Sequence, residues 1–367
     1  MKVLITGANG FLGKNLQVHL REKEIETLPF THEMSVKQLP EFLKDVDFVF
    51  HLAGVNRPKD PAEFEVGNKE LTEELCDAIR ATGLQIPVLF TSSIQADAEN
   101  LYGASKKASE QALIDLERDT GSPVFIYRLP NVFGKWSRPN YNSAVATFCY
   151  NIANDLEIQI NDPEVLIPLV YVDDVITDFI NLFLEKSYGV LWPRITTEYT
   201  ISVGDLAQQI RSFKESRESM VIESVGIGLT RALYSTYLSF LRPEQISYKL
   251  PVNEDYRGRF IEMLKTKDSG QFSFFTAHPG VTRGGHYHHS KNEKFLVIKG
   301  KARFGFRHIV TGETYEMFTD GMIPEIVETV PGWSHDITNV SDNEMIVMLW
   351  ANEIFDRQQP DTILHEV

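Results

Sequence analysis

The sequence contains few cysteines and lacks a long apolar segment. Cys76 and Cys149 are the only cysteines among its 367 residues, and neither has a neighbour at CxxC spacing. We therefore expect neither a disulfide framework nor a thiolate zinc site. No run of about 18 apolar residues is present, so no membrane-spanning helix is expected. An apolar strand pattern begins at Lys2 and leaves no room for a leader, so we expect a cytoplasmic protein.

Basic residues are also fewer than acidic residues. The chain has 36 Lys and Arg residues against 51 Asp and Glu residues, which gives a formal net charge of −15. Binding to nucleic acid or to an anionic membrane is therefore not expected, because both require a basic surface. A small anionic ligand remains compatible with this charge, since a few local cations and backbone N–H groups can hold one.

The first two thirds of the chain alternate between strand and helix patterns. Strand patterns cover residues 3–6, 48–52, 88–91 and 124–128, and helix patterns cover 13–20, 69–81, 103–118, 204–218 and 230–241. Such alternation indicates βαβ units with helices on both faces of a parallel sheet. The sequence therefore predicts an α/β Rossmann-type doubly wound parallel sheet.

The pattern changes after about residue 256. Short strand patterns at 272–277, 293–299, 302–307 and 345–351 are separated by Gly and Pro, and helical periodicity is nearly absent. This arrangement is typical of an antiparallel barrel or a two-sheet roll. We predict a first domain over residues 1–243, a link over 244–256 and an all-β domain over 257–367.

A glycine-rich turn follows the first strand. Residues 6–13 read TGANGFLG, so Gly7, Gly10 and Gly13 have GxxGxxG spacing between a strand and a helix. Glycines there allow a tight turn and a close approach of the backbone to a pyrophosphate. The following helix supplies free N–H groups and the positive end of its dipole. The turn predicts a dinucleotide site.

This segment and five later motifs resemble the extended short-chain dehydrogenase/reductase family. The later motifs are HLAG at 51–54, Asn68, YGASK at 102–106, RLPNVFG at 128–134 and YVDDV at 171–175. The resemblance covers about two thirds of the chain and implies a nicotinamide cofactor. The cofactor-binding residues that it implies are Gly7, Asn9, Gly10, Phe11, Leu12, Gly13, Leu52, Ala53, Gly54, Tyr102, Lys106, Asn131 and Val132.

The YxxxK pair suits ketone reduction. Tyr102 and Lys106 are four residues apart and share one face of a helix. The ammonium is expected to lower the pKa of Tyr102, which would then donate a proton to a ketone oxygen as hydride arrives. The family motif favours Ser93 as a second donor to that oxygen, with Ser92 as the alternative. Only residues 94–101 separate Ser93 from Tyr102, which is shorter than in the family.

The second strand region bears on the choice of cofactor. Residues 27–32 read TLPFTH, without the acidic residue that usually binds the ribose hydroxyls of NAD, and Lys14 follows the last glycine of the turn. A 2′-phosphate would meet little repulsion here. We therefore expect NADPH rather than NADH.

The C-terminal region contains a cluster of metal-ligand residue types. Residues 280–300 match G-x5-HxH-x4-E-x6-G, the first cupin motif, and the segment around His335 resembles the second. The resemblance to the cupin (jelly-roll) family implies that His286, His288, Glu293 and His335 bind a metal. Three imidazoles and a carboxylate suit zinc, our first choice, although iron, manganese and nickel also fit.

A metal-free alternative also remains open. The string RGGH at 283–286 resembles cupin-fold sugar-nucleotide 3,5-epimerases, in which a histidine at this place is a base. On that interpretation His286 removes a proton, and Lys294 is a catalytic residue that stabilises the enolate.

The whole chain resembles bacterial capsule-synthesis enzymes of the CapF type. Supporting strings are KWSRPNYN at 135–142, ATFCY at 146–150 and NEKF at 292–295. The resemblance implies a bifunctional enzyme that acts on a UDP-4-keto-6-deoxy-N-acetylhexosamine. The cupin domain would epimerise C3 and the reductase domain would reduce the C4 ketone with NADPH. The product would be UDP-N-acetyl-6-deoxy-L-talosamine, for polysaccharide that contains L-fucosamine.

A homodimer is expected, and two alternatives to the bifunctional enzyme stay open. In one, only the reductase is catalytic and the cupin domain is a metal-stabilised dimerisation module. In the other, the protein senses nucleotides without catalysis.

Overall fold

The computed structural model describes residues 1–185, 187–358 and 360–367, which form two compact units. The first comprises Met1–Ile210 and Arg231–Leu241, and the second comprises Arg211–Thr230 and Arg242–Val367. The predicted domain limits stay a prediction, although residues 211–230 belong to the second unit and not to the first. No helix in the described ranges combines the length and the apolar character needed to cross a membrane.

The strands and helices of the first part of the chain follow the predicted alternation. The strands are β1 (Lys2–Thr6), β2 (Glu26–Phe30), β3 (Phe48–His51), β4 (Val88–Ser93), β5 (Val124–Leu129), β6 (Asn131–Phe133), β7 (Leu166–Tyr171), β8 (Val190–Leu191) and β9 (Tyr199–Ser202). The helices are α1 (Phe11–Glu22), α2 (Leu39–Phe42), α3 (Leu71–Thr82), α4 (Leu101–Thr120), α5 (Ala144–Ala153), α6 (Val172–Leu184), α7 (Val203–Ser219) and α8 (Gly228–Leu238). Cys76 and Cys149 are buried and unbridged in α3 and α5.

The main sheet of the first unit is parallel, in the order β2-β1-β3-β4-β5-β8. Alternate residues of β1 enter different cores: Val3 and Ile5 pack with α1 and α6, whereas Leu4 packs with α3 and α4. Helices therefore cover both faces, which confirms the predicted doubly wound sheet. The chain reverses its direction of winding between β1 and β3, and sheets of this kind bind ligands at the carboxyl ends of strands at such a point. A small separate sheet has the order β6-β7-β9.

The second unit is rich in strands. They are β10 (Val221–Ile222), β11 (Asn253–Asp255), β12 (Gly258–Thr266), β13 (Gly270–Ala277), β14 (Thr282–Tyr287), β15 (Glu293–Lys299), β16 (Lys301–His308), β17 (Thr314–Asp320), β18 (Ile326–Glu328), β19 (Trp333–Asn339), β20 (Met345–Ala351) and β21 (Ile363–Leu364). One sheet has the order β10-β12-β13-β20-β15-β18, with β11 also paired to β12. The other has the order β17-β16-β19-β14-β21.

These two sheets enclose one apolar core. Phe275, Phe295 and Val347 come from the first sheet, and Phe304 and Ile337 come from the second. The strand-rich unit that the sequence predicted is confirmed. Two strands of this unit lie outside the predicted limits of the all-β domain. Strand β10 lies within the predicted first domain, and β11 lies within the predicted link. Both strands are too short to show the alternation from which strands are recognised in a sequence.

Candidate active site and metal centre

A cleft of about 620 Å³ lies where β1, β3, β4 and β5 end. The residues that the sequence predicted for cofactor binding line this cleft, with the exception of Ala53. The backbone N–H of Ala53 instead donates to Thr6 Oγ1 at 3.2 Å, which fixes the turn before Gly54. The structure thus brings the predicted cofactor residues together at the switch point of the sheet.

The glycine turn is shaped by close backbone contacts. Gly7 has φ +69°, and a Cβ there would lie 2.7 Å from the Ala53 backbone. A Cβ on Gly13 would lie 2.3 Å from the carbonyl oxygen of Gly7. A side chain at Gly7 would push the turn away from the end of β3, and one at Gly13 would push α1 away from the turn. The amino end of α1, which Gly10 precedes, therefore faces the cleft with free N–H groups.

Helix α4 presents Tyr102 and Lys106 to the same cleft. Asn100 caps the helix by accepting a hydrogen bond from Gly103 N at 2.8 Å. Lys106 is 5% exposed, and its Nζ donates to the carbonyl oxygen of Thr91 at 2.9 Å. Burial lowers the pKa of Lys106 to about 8, although the charge of Glu110 acts in the opposite direction. The ammonium is thus held at the end of β4, beside the cleft.

The structure corrects one expectation about Tyr102. Burial raises the pKa of the Tyr102 phenol, and a hydrogen bond with Ser93 opposes this increase only in part. The sequence led us to expect a lower pKa caused by Lys106. Desolvation dominates instead, because the neutral phenol is favoured in a partly closed cleft. A neutral Tyr102 carries the proton that a general acid must donate.

The two candidate serines on β4 have different partners. Ser92 Oγ donates to Glu110 Oε1 at 2.5 Å, and Glu110 is also paired with Arg128 at 2.6 Å. The Ser93 hydroxyl interacts with Tyr102 and accepts a hydrogen bond from Gln95 N at 3.1 Å. Of the two, Ser93 therefore stands beside the predicted acid. Residues 94–100 form only a short 3-10 helix, Ile94–Asp97, and a turn before α4.

Some residues of the cleft were missed as functional candidates. Trp136, Arg138 and Tyr141 line it after β6. The Arg138 guanidinium lies 4.8 Å from the centre of the Tyr141 ring, and the Tyr141 hydroxyl donates to the carbonyl oxygen of Arg57 at 3.3 Å. Within the described ranges Arg138 has no carboxylate partner. In the sequence, the string at 135–142 was used only as support for the family resemblance. No motif of fixed spacing identifies these three residues as functional.

The second unit contains a cavity of about 490 Å³ between its two sheets. Four predicted metal ligands meet beside it: His286 and His288 from β14 and the adjoining loop, Glu293 from β15 and His335 from β19. One side-chain ligand atom from each of the four lies within 4.8 Å of the others. Strand pairing explains this convergence, because His286 is opposite His335 in the β14–β19 register. The prediction that these residues cluster is confirmed.

The electrostatics of the cluster fit a divalent metal. Burial alone would raise the pKa of Glu293, but interactions with His288 and His335 and the charge of Lys291 hold it well below its ordinary value. Burial, then the neighbouring His335, lowers the pKa of His286 to about 4. His335 Nδ1 is buried without a hydrogen-bond partner in the part of the chain that the structure describes, and His335 Nε2 lies 3.4 Å from Glu293 Oε2. Three imidazoles around a carboxylate form a suitable donor set for such an ion.

A bulge in β14 determines which side chains enter the cavity. Residues three apart in a regular strand point to opposite faces. The register shifts between Gly284 and His286, and Gly284 and Gly285 both have positive φ. Arg283 and His286 therefore both line the cavity. A Cβ on Gly284 would lie 2.7 Å from the carbonyl oxygen of His335, so the bulge requires glycine at this position.

Lys294 is not placed as the sequence predicted. Its neighbour Glu293 is buried at the cavity, so strand alternation turns Lys294 to the opposite face of β15. There it is 47% exposed and forms an ion pair with Glu328. The cation beside the cluster is Lys291, whose Nζ lies 2.9 Å from Glu293 Oε1. The structure therefore contradicts the assignment of Lys294 as a catalytic residue.

Arg283 also lines this cavity, together with Lys291 and Arg257. Its Nε and Nη2 atoms are buried, and neither has a hydrogen-bond partner within the described residues. Its guanidinium lies 5.1 Å from the centre of the Phe275 ring. The nearby Arg257 is already engaged by Asp255 at 2.6 Å. A buried donor without a partner is costly, so Arg283 is suited to an anionic ligand.

Comparison with known proteins supports both halves of this description. Residues 3–190 match the NAD dependent epimerase/dehydratase family, and residues 253–363 match the polysaccharide biosynthesis C-terminal domain. The chain is 62% identical to a UDP-2-acetamido-2,6-beta-L-arabino-hexul-4-ose reductase of Pseudomonas aeruginosa. That match spans 99% of this chain and 98% of the relative. The first unit is thus of a nicotinamide-dependent type.

Solved structures agree in fold. The capsular polysaccharide assembling protein CapF from Staphylococcus aureus matches with a TM-score of 0.92 and 40% identity, over 100% of both chains. A UDP-glucose 4-epimerase of Thermus thermophilus in complex with NAD matches 65% of this chain at 17% identity, with a TM-score of 0.54, which shows the fold alone. The chain therefore belongs to the CapF family of capsular polysaccharide synthesis proteins, with an NAD dependent epimerase/dehydratase domain followed by a polysaccharide biosynthesis C-terminal domain.

Proposed function

We propose that the chain is a bifunctional sugar-nucleotide enzyme that acts on a UDP-4-keto-6-deoxy-N-acetylhexosamine. The second unit, for which we propose a cupin fold, epimerises C3, and the first unit then reduces the C4 ketone with NADPH. The product is UDP-N-acetyl-6-deoxy-L-talosamine, for polysaccharide that contains L-fucosamine. The observation that carries the reductase is the meeting of Ser93, Tyr102 and Lys106 in one glycine-lined cleft. The name of the Pseudomonas relative, a reductase of a UDP-linked 4-ulose, supports the substrate class.

The reduction adds a hydride to C4 and a proton to the ketone oxygen. NADPH, when bound along the glycine turn, supplies the hydride. Tyr102 donates its phenolic proton to the oxygen, and the Ser93 hydroxyl holds that oxygen by a hydrogen bond. The Lys106 ammonium, fixed by the Thr91 carbonyl, stabilises the negative charge that the phenol acquires.

Epimerisation requires removal of the C3 proton and its return to the other face. That proton is acidic because it is α to the C4 ketone, and the resulting enolate oxygen needs a cation or hydrogen-bond donors. A metal held by His286, His288, Glu293 and His335, which we propose to be zinc, would supply Lewis-acid stabilisation. Arg283 would bind the anionic part of the substrate. In the metal-free alternative His286 is the base.

We also propose that the protein is a homodimer. Large apolar side chains are exposed on β17 and the turn after it, with Phe318 at 65% and Met322 at 88% exposure. An exposed apolar surface of this kind favours association between chains. Sedimentation of the purified protein would measure the oligomeric state directly.

Incorporation of solvent deuterium at C3 tests the bifunctional proposal. The 4-keto substrate is incubated in D2O with enzyme and without NADPH, and the C3 proton is followed by NMR. Exchange is expected, because a base in the second unit removes the proton whether or not reduction follows. A protein that shows no exchange but reduces the ketone once NADPH is added would leave the alternative of a reductase joined to a structural dimerisation module. The absence of both reactions would favour a nucleotide sensor.

NADPH should be used better than NADH. Lys14 lines the cleft and carries no ion pair within the described ranges, and residues 27–32 contain no acid. Replacement of Lys14 by Gln should lower kcat/KM for NADPH by about tenfold, the factor equal to ~1.4 kcal/mol, with little change for NADH. Lys23→Gln, at the exposed end of α1, is the matched control. A higher kcat/KM of the wild type with NADH would contradict the assignment.

Arg283→Gln should weaken the epimerisation step alone. The guanidinium is the unpartnered buried cation of the second cavity, so its loss should raise the KM for C3 exchange by about tenfold or more. Metal content should not change, because Arg283 is not a ligand. Arg259→Gln is the control, since Arg259 lies outside the cavity and is paired with Glu254 at 3.2 Å. An unchanged KM for exchange would show that Arg283 does not bind the substrate.

A further inference from the structure

The chain returns to the metal cluster near its C-terminal end. Strand β21 pairs with β14, so that Leu364 is opposite His286 and Ile363 is opposite Tyr287. The backbone N–H of His365 donates to the Gly285 carbonyl at 3.0 Å. The carbonyl oxygen of His365 accepts from Ser334 Oγ at 2.5 Å, next to His335. Residues 361–365, here the C-terminal latch, therefore contact strands β14 and β19, which carry His286 and His335.

Asp361 is the most strongly bound residue of the latch. Its Oδ1 accepts a hydrogen bond from His289 N at 2.8 Å, and its Oδ2 accepts from Ser290 N at 2.7 Å and Lys291 N at 2.8 Å. The Ser290 hydroxyl donates to the same oxygen at 2.9 Å. One carboxylate thus holds three consecutive backbone N–H groups of the loop that joins His288 to Glu293. These are charge-assisted hydrogen bonds, which are stronger than bonds between neutral groups.

The backbone of Asp361 contacts a ligand directly. His288 Nδ1 lies 2.5 Å from the Asp361 carbonyl oxygen, and the His288 side chain is 1% exposed. A carbonyl oxygen only accepts hydrogen bonds, so Nδ1 must carry the proton. His288 Nε2 faces Glu293 Oε2 at a distance of 3.3 Å. Metal binding displaces protons from such ligand atoms, so a cation can replace any proton held between them.

We infer that the C-terminal latch contributes to metal binding, because Asp361 orients His288 as a ligand. The Asp361 carboxylate binds the backbone of residues 289–291 and thereby fixes the position of the Asp361 backbone. The Asp361 carbonyl oxygen therefore stays within hydrogen-bond distance of His288 Nδ1. That contact selects the tautomer whose Nε2 is free to bind metal and holds the ring in place. Contacts of this kind on the remote nitrogen of a ligating histidine typically change metal affinity by about 10- to 100-fold.

The test measures metal affinity in the full-length protein. Apo-protein is prepared with a chelator, and Zn²⁺ is titrated in competition with a chromophoric chelator. Asp361→Ala is expected to weaken Zn²⁺ binding by about tenfold or more, and Asp361→Asn, which keeps the size but loses the charge, by less. Asp356→Ala is the matched control, because the Asp356 carboxylate accepts a hydrogen bond only from Gln358 N among the described residues. The Tm of the second unit, measured by calorimetry, reports that each variant is folded.

A double variant separates orientation of His288 from a general loss of stability. If Asp361 acts through His288, Asp361→Ala should weaken Zn²⁺ binding no further in a His288→Ala background. Additive losses would indicate a structural role and overturn the inference. An Asp361→Ala protein with wild-type affinity would overturn it as well. The inference rests on the proposed metal centre, and a wild type that binds no Zn²⁺ would refute that centre itself.

Discussion

Replacement of Tyr102 by Phe is expected to lower NADPH oxidation by about 10²- to 10⁴-fold, the usual contribution of a positioned general acid. The substitution removes one hydroxyl and leaves the ring, which packs 5.7 Å from the ring of Phe64. Helix α4 and its Asn100 cap should therefore remain in place. NADPH oxidation is followed at 340 nm with the 4-keto substrate present.

Exchange of the C3 proton should stay within about twofold of the wild-type rate in this variant, because catalysis of exchange is assigned to the other unit. Tyr150→Phe is the matched control, since Tyr150 lies outside the cleft on α5, where its ring packs against Phe240. That variant should retain NADPH oxidation. A folded Tyr102→Phe protein that loses both activities would contradict the division of labour between the units. An unchanged rate of NADPH oxidation would show that Tyr102 is not the general acid of the reductase.

The features that the sequence predicted well depend on spacing within a single element. The glycine turn and the Tyr102/Lys106 pair follow from a turn and a helix face, and there local geometry determines which side chains lie together. The metal cluster joins several strands, and the family resemblance predicted it without the strand pairing that brings His286 to His335. Parallel strands then bring the ends of β1, β3, β4 and β5 to one edge, and this places Ser93 beside Tyr102.

The features that the sequence did not predict depend on burial or on distant pairing. Lys294 was misplaced because a family comparison ignored the alternation of β15, which buries Glu293 and exposes its neighbour. The pKa of Tyr102 was misjudged because desolvation cannot be read from an i, i+4 pair. The contact between Asp361 and His288 joins residues 73 positions apart, and no short motif marks it.

The largest effect on the second unit is expected from loss of a metal ligand. His288→Ala or His335→Ala should leave less than stoichiometric metal after gel filtration, because each removes one of four donors. Metal that binds only the folded state at about 100 times its Kd adds ~2.7 kcal/mol, so its loss should lower the Tm of the second unit by roughly 5–10 °C. His278→Ala is the control, since His278 is exposed at the end of β13 and lies outside the cluster. Metal is measured by elemental analysis and Tm by calorimetry.

Replacement of His286 distinguishes the metal-bound interpretation from the metal-free one. His286 lies 4.7 Å from His335 between ring centres and lines the cavity, so its position suits either a ligand or a base. As a ligand, His286→Ala should lower metal content and Tm in parallel with the other two variants. As a base, it should abolish C3 exchange while metal content and Tm stay at wild-type values. We expect the ligand result, because Glu293 is held ionised among buried imidazoles that a cation would bridge. Purified wild type that epimerises without stoichiometric metal would overturn that expectation and leave His286 as the base.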